Sequence, residues 1–237
     1  MKKKNLRGAS IVEFTFVMLV LVPLLLGTTG VGINMVNSLQ TIQLARDVGH
    51  MYSRGTDFSK PGYQQVVASL GASVGMSTTT GAGSGNAVVI LSKLTYIDNA
   101  QCIAYGPPVT VDGTGNAVGC TNLARWVFAE WMQIGNTSMR TSNLGGPLTG
   151  TGPGHVNDPS GNPLSATGGK VSRADQVMNA SDRAIFSGSG IVPYSNISGT
   201  ITGLPTDQYL YIAEAAAKGF TMPPYMSNPQ SYSFGIF

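Results

Sequence analysis

The chain opens MKKKNLRGASIVEFTFVMLVLVPLLLG (residues 1–27), and the reading of this stretch decides the fold. A basic tip of Lys2, Lys3, Lys4 and Arg7 precedes a long apolar run. Residues 14–33 carry no charge, and about 20 such residues form a helix that crosses the hydrocarbon of a bilayer. One residue resists this simple picture. Glu13 is the only charged side chain between Arg7 and Arg46, and an acidic residue costs roughly 2.5–3.5 kcal/mol at mid-membrane, less near an interface.

Three readings compete for this segment. A secretory signal peptide would share the basic start. However, the apolar stretch is too long for one, contains Glu13 and ends in GTTGVGIN with no Ala-x-Ala site. A plain transmembrane anchor fits the length, and the positive-inside rule would keep MKKKNLR cytoplasmic with the remainder outside. Neither reading uses Glu13. In the third, KKKNLRG is a leader cut between Gly8 and Ala9, which makes Glu13 the fifth residue of the mature chain. Cleavage would place a positive α-amino group on Ala9, at the positive end of the helix dipole, with a carboxylate one turn further on. Glu13 could then offset the amine of its own chain, or that of a neighbouring chain in a dry helical bundle. Desolvation cancels much of the Coulomb gain there, so such a pair mainly sets axial register. The alternative is a carboxylate that snorkels to the membrane surface.

KKKNLRG|ASIVEF resembles the prepilin-peptidase site of type IV pilin-like proteins: a short basic leader, Gly before the cut, a small residue after it, Glu at the fifth mature position and an aromatic, here Phe14, next. The longer pattern is similar to the TadE-type pseudopilins of the tight-adherence (Flp) pilus system. It is carried by Arg7, Gly8, Ala9, Val12, Glu13, Phe14, Pro23 and the run Ala45-Arg46-Asp47-Val48-Gly49. The resemblance covers about the first 55 residues. Ala9 stands where type IVa pilins have Phe, so N-methylation is not inferred. The chain is also much longer than the major Flp pilin, which points to a minor, domain-bearing component. The resemblance implies three parts: a leader over residues 1–8, a transmembrane and amphipathic helix over 9–54, and an extracytoplasmic α+β domain over 55–237 with a pilin-like antiparallel sheet. It further implies a single-pass protein of the inner membrane, partnered by a prepilin peptidase, other pilin-like subunits and the pilus assembly machinery. Gly8 and Ala9 would flank the cleavage site, and Glu13 and Phe14 would serve assembly. Two alternatives stand beside it: a membrane-anchored extracytoplasmic binding protein, and a pseudopilin of a type II secretion system.

Past the span, Met35, Leu39, Ile42, Ala45, Val48 and Met51 recur at steps of three and four, which predicts one apolar stripe of an amphipathic helix. At 1.5 Å per residue, residues 9–54 would extend about 70 Å, bent near Pro23 and the glycines Gly27, Gly30 and Gly32.

Composition narrows the rest. Charged residues make up 11 % of the chain, against about 25 % in ordinary soluble proteins, and glycines number 31, which suits an uncharged, loop-rich domain outside the cytoplasm. The net charge of +3 comes from the N-terminal tip, so no basic patch is available for nucleic acid. Cys102 and Cys120 are the only cysteines. They lack metal-site spacing, and on the oxidising side of a membrane they would form a disulfide worth roughly 3 kcal/mol. The alternative is two unpaired, partly buried thiols.

Residues 86–97 (NAVVILSKLTYI) read as a strand, and residues 106–111 as the start of a short strand within the cysteine loop. The run CTNLARWVFAEWMQIGNT (residues 120–137) reads as a helix capped by Thr121 or Asn122 and ending before Gly135. Leu123, Trp126, Val127, Trp131 and Ile134 would form its core face. Residues 143–169 read as a long loop, either mobile or an interaction surface. Residues 207–220 are ambiguous between strand and helix. The resemblance implies a strand, because TadE-type members often carry a YxxVE-like strand late in the domain, and SYSFGIF would follow as a terminal strand or packed tail.

No catalytic constellation stands out, and no enzyme activity, metal or cofactor is expected. GAGSGNA (residues 81–87) precedes a strand where a nucleotide loop would precede a helix. His50 and His155 have no ligand-spaced partners, and SGSG at Ser187 lacks the context of a nucleophile elbow.

Overall fold

A computed structural model describes residues 7–106, 110–186, 208–223 and 226–237. The apolar run is the first part of one helix, α1 (Arg7–Ser53), which passes through Pro23 without interruption. Its 47 residues extend about 70 Å at 1.5 Å per residue. After it come α2 (Pro61–Leu70), a 3₁₀ turn (Ala72–Val74), β1 (Ala87–Ile97), α3 (Asn99–Tyr105), β2 (Thr110–Val111), β3 (Ala117–Val118), β4 (Arg125–Gly135), β5 (Gly168–Lys170), α4 (Arg173–Met178), a second 3₁₀ turn (Ala180–Asp182), β6 (Tyr209–Lys218) and β7 (Gln230–Ile236). The main sheet is antiparallel throughout in the order β5-β4-β1-β6-β7, and β2 and β3 form a separate hairpin. A long apolar helix followed by an antiparallel sheet is an α+β arrangement, as the sequence predicts.

The C-terminal half of α1 lies along β6 and β7. Leu44, Ala45, Val48 and Tyr52 of α1 share a core with Ala87, Val89 and Leu91 of β1, with Met132 and Ile134 of β4, and with Ala213, Ala215 and Ala217 of β6. This settles the ambiguity of YIAEAAAK. Alanine favours a helix in isolation, but here the alternate alanines face α1 and let its backbone approach the sheet, so packing overrides propensity. The opposite face of the sheet carries Val88, Ile90, Phe128, Trp131 and Ile212, and it is covered by Leu144, Val156 and Leu164. The long glycine-rich loop is therefore a packed layer.

Two expectations need correction. Residues 120–137 are not a helix: Arg125–Gly135 is β4, paired with β1 from Val88 to Ile97. The register shifts between Lys93 and Leu94, leaving Ala129 as an extra residue opposite them. A bulge of this kind turns a two-residue step on one face into a three-residue step, so Phe128 and Trp131 share a face at a spacing that imitates a helix. Asn122 does not cap a helix; its side chain donates to Gln176 O and Asn179 O at 2.9 and 2.7 Å. Gly135 ends the strand with φ +93°, and a Cβ there would lie 2.5 Å from Ala87 O.

The sheet covers only part of the apolar stripe on α1. Ala45 and Val48 are buried, but Met35, Leu39 and Ile42 are 67, 56 and 36 % exposed. Each step of three falls about 60° short of a full turn, so a line built mainly from such steps winds off the sheet-facing side. The buried side runs instead through Gly30, Thr41, Ala45, Val48 and Tyr52.

Two of the buried acids of the domain are accommodated in opposite ways. Glu214 of β6 accepts hydrogen bonds from Ser142 Oγ, from Asn143 N at 3.1 Å and from Tyr232 Oη at 2.7 Å, which ties the long loop to β6 and β7. Asp182 is fully buried, and neither carboxylate oxygen has a partner among the described residues. Burial, with a smaller contribution from the Asp175 charge, raises its pKa to about 8. The native state therefore keeps a proton that the unfolded chain releases near pH 4, and stability falls between these values by at most about 1.4 kcal/mol per pH unit. Urea unfolding at pH 5 and pH 8 tests this: the wild type should lose stability at pH 8, and Asp182→Asn should lose less. An identical loss in both would show that Asp182 ionises freely.

Candidate functional site

The site indicated by the sequence is the apolar N-terminal half of α1. Every residue from Ile11 to Thr29 is exposed except Pro23 and Gly27, which are half-buried. The hydroxyls in this part are satisfied within the helix: Thr15 Oγ1 donates to Ile11 O at 2.9 Å, and Thr28 and Thr29 both donate to Leu25 O, at 3.0 and 2.8 Å. A helix closed in this way makes no hydrogen-bond demand on lipid. It is the one described helix long and apolar enough to cross a membrane, which is compatible with a single-pass anchor.

The Gly8–Ala9 peptide lies in the first turn of α1, and residues 1–6 of the leader lie outside the described residues. Glu13 is exposed one turn further along. Ala9 and Glu13 are separated by four residues, so they share a helix face about 6 Å apart along the axis. Phe14 is 61 % exposed. Two glycines of the helix, Gly27 and Gly32, have open space where a Cβ would stand. A groove of about 460 Å³ runs beside α1 between Thr29, Ile33, Val36, Gln40 and Ser73.

Beyond the span, the Ala45–Gly49 run is where α1 meets the sheet. Gly49 is buried because the ring of Phe237 occupies the place of its side chain, and a Cβ would lie 2.0 Å from Phe237 Cε2. His50 meets the same ring edge-on, with centroids 4.9 Å apart. The need for glycine at position 49 is not evident locally, because the ring that occupies its place belongs to a residue far off in the sequence.

Cys102 and Cys120 form a disulfide with 5.9 Å between their Cα atoms. It belongs to a third apolar cluster with Ile97, Ala117, Val127 and Val177, which contains no residue of α1. The disulfide therefore supports the far end of the sheet and has no part in the helix site. Among the described residues no group of three or more His, Cys, Asp or Glu side chains is placed to hold a metal.

Residues 8–49 match the family model of TadE-like proteins. No curated protein and no solved structure matches the chain. The matched segment starts at the expected cleavage site and ends at Gly49, so it covers the apolar half of α1 and its seat on the sheet.

The seat at Gly49 is testable by crowding it. Gly49→Val should lower stability by about 1–3 kcal/mol, the usual cost of overpacking. Much of that cost should vanish in a Phe237→Ala background, because the two changes act on one contact. Gly62→Ala in α2, where a Cβ meets nothing within 4 Å, should be neutral. Denaturant unfolding of the wild type and all four variants decides it, and additive effects of Gly49→Val and Phe237→Ala would contradict the contact.

Proposed function

We propose that this chain is a minor pilin-like subunit of a tight-adherence pilus system, cut between Gly8 and Ala9 by a prepilin peptidase. It assembles with other pilin-like subunits through α1 and has no enzymatic role. The match to TadE-like proteins over residues 8–49 supports the pilus context. The observation that carries the assembly role is that the domain covers one side of α1 only. Glu13 stays exposed in the apolar half, and Met35, Leu39 and Ile42 stay exposed beyond it. A plain anchor needs neither a carboxylate in its apolar segment nor an apolar stripe outside the bilayer. Neighbouring helices packed against this stripe would bury it, and Glu13 would there meet an Ala9 amine.

In this reading the basic tip stays on the cytoplasmic side of the inner membrane and the sheet domain lies outside. The scissile peptide sits in a terminal helical turn, which frays readily, so a peptidase at the membrane surface can reach it. The Glu13 pair would act on register more than on affinity.

Co-expression with a prepilin peptidase, followed by N-terminal sequencing and affinity co-purification, tests both parts. Wild type and Glu13→Gln should both begin at Ala9, since the substitution removes a charge that opposes insertion. Only the wild type should recover other pilin-like subunits. An uncut chain, or a cut beyond Gly27, would overturn the processing. Equal recovery by Glu13→Gln would overturn the role of the carboxylate.

A further inference from the structure

After Lys218 the chain has no charged side chain to its end. In the connection between β6 and β7, Met222 and Met226 lie beside α1 and their backbones exchange hydrogen bonds at 3.0 and 2.8 Å, residues 224–225 between them lying outside the described residues. The turn is seated at one height on the helix. A Cβ on Gly30 would lie 3.5 Å from the Cε atoms of both Met222 and Met226. One turn higher, Asn34 grips the backbone of Phe220: Oδ1 accepts from Phe220 N at 2.7 Å, and Nδ2 donates to Phe220 O at 3.2 Å. Gly219 is bare because a Cβ there would lie 2.5 Å from Asn34 Oδ1. Phe220 is nevertheless 42 % exposed, and Thr221 and Pro223 are exposed beside it.

That height is defined by the span. If residues 14–33 fill the hydrocarbon, Gly30 lies about 4–5 Å inside its outer edge, at 1.5 Å per residue. Asn34, the first side-chain amide of α1, then stands at the border. An uncharged turn that presents Phe, Met and Pro at this level matches the boundary between acyl chains and headgroups, where buried apolar area governs binding. We infer that the β6–β7 turn inserts Phe220, Met222 and Pro223 into the outer-leaflet interface, giving the domain a second contact with the lipid that fixes its height and rotation on α1. The partner is the phospholipid surface itself. With no charge on the turn, the contact is indifferent to anionic lipid. The inference rests on α1 crossing the membrane as proposed above.

The test uses the full chain reconstituted in phosphatidylcholine vesicles, with and without bromine on the acyl chains. Phe220→Trp reports on the turn, Val22→Trp on the span and Tyr63→Trp on the distal α2, each read against the wild-type emission of Trp126 and Trp131. Phe220→Trp should add a blue-shifted emission that brominated lipid quenches, with the same loss at high salt, and Tyr63→Trp should be unaffected. An unquenched Phe220→Trp beside a quenched Val22→Trp overturns the inference and leaves the span intact. If Val22→Trp is also unquenched, the span fails and the inference with it. Quenching of Phe220→Trp only on anionic vesicles overturns it as well.

Discussion

One continuous helix is bare along its apolar half and covered by a sheet along one side of the other half, and most of the structure follows from that division. From Ile11 to Thr29, α1 has no covering from its own chain and closes its hydroxyls on its own backbone. From Gly30 upward one side must accept a sheet. The sheet answers with small residues: Ala213, Ala215 and Ala217 of β6 face the helix, and Gly49 admits the ring of Phe237. The polar groups at the crossover are matched too. Thr41 Oγ1 lies 3.0 Å from Ser231 Oγ, and Asn34 is satisfied by the backbone of Phe220. Buried amides and hydroxyls left alone would cost about 1–3 kcal/mol each, so these pairs fix where along the helix the domain sits.

The domain is built to hold that position while leaving the rest of α1 free. β1 is buried on both faces, with α1 and α2 on one side and the 143–169 loop on the other. Glu214 joins β6, β7 and the loop through hydrogen bonds from Ser142, Asn143 and Tyr232. The disulfide and its apolar neighbours close the far end. None of these elements reaches round to Met35, Leu39 or Ile42. A rigid domain on one side and an apolar stripe on the other is the arrangement expected of a subunit whose helix packs against other helices.

The local features were legible in the sequence. The charge-free span and β1 follow from composition over a short window, and the Gly8/Glu13 spacing is a property of adjacent turns. β6 is ambiguous on composition and reads as a strand only through the family resemblance, and β7 stays between strand and tail. The features that escaped depend on partners distant in sequence. β4 imitates a helix because the bulge at Ala129 brings Trp126 and Trp131, an odd step apart, to one face, whereas Val127 and Ile134 of the expected stripe belong to two other clusters. Which part of the α1 stripe is buried is not local either, because steps of three wind around the helix and only the sheet determines which side it covers. Asn34 and Phe220 are 186 residues apart, so nothing local reveals the latch. Asp182 and Glu214 look like ordinary surface acids, although an acid within YIAEAAAK, a run without other charge until its end, was a signal that could have been followed.

The central claim is that the uncovered side of α1 is a contact between subunits. Site-specific photo-cross-linking in pilus-producing cells tests it most directly, with a benzophenone amino acid at Leu39 on the stripe and, for comparison, at the exposed Val118 of β3. The account predicts covalent adducts to other pilin-like subunits from Leu39 and none from Val118. Absence of such adducts from Leu39, or equal yields at the two positions, would contradict it.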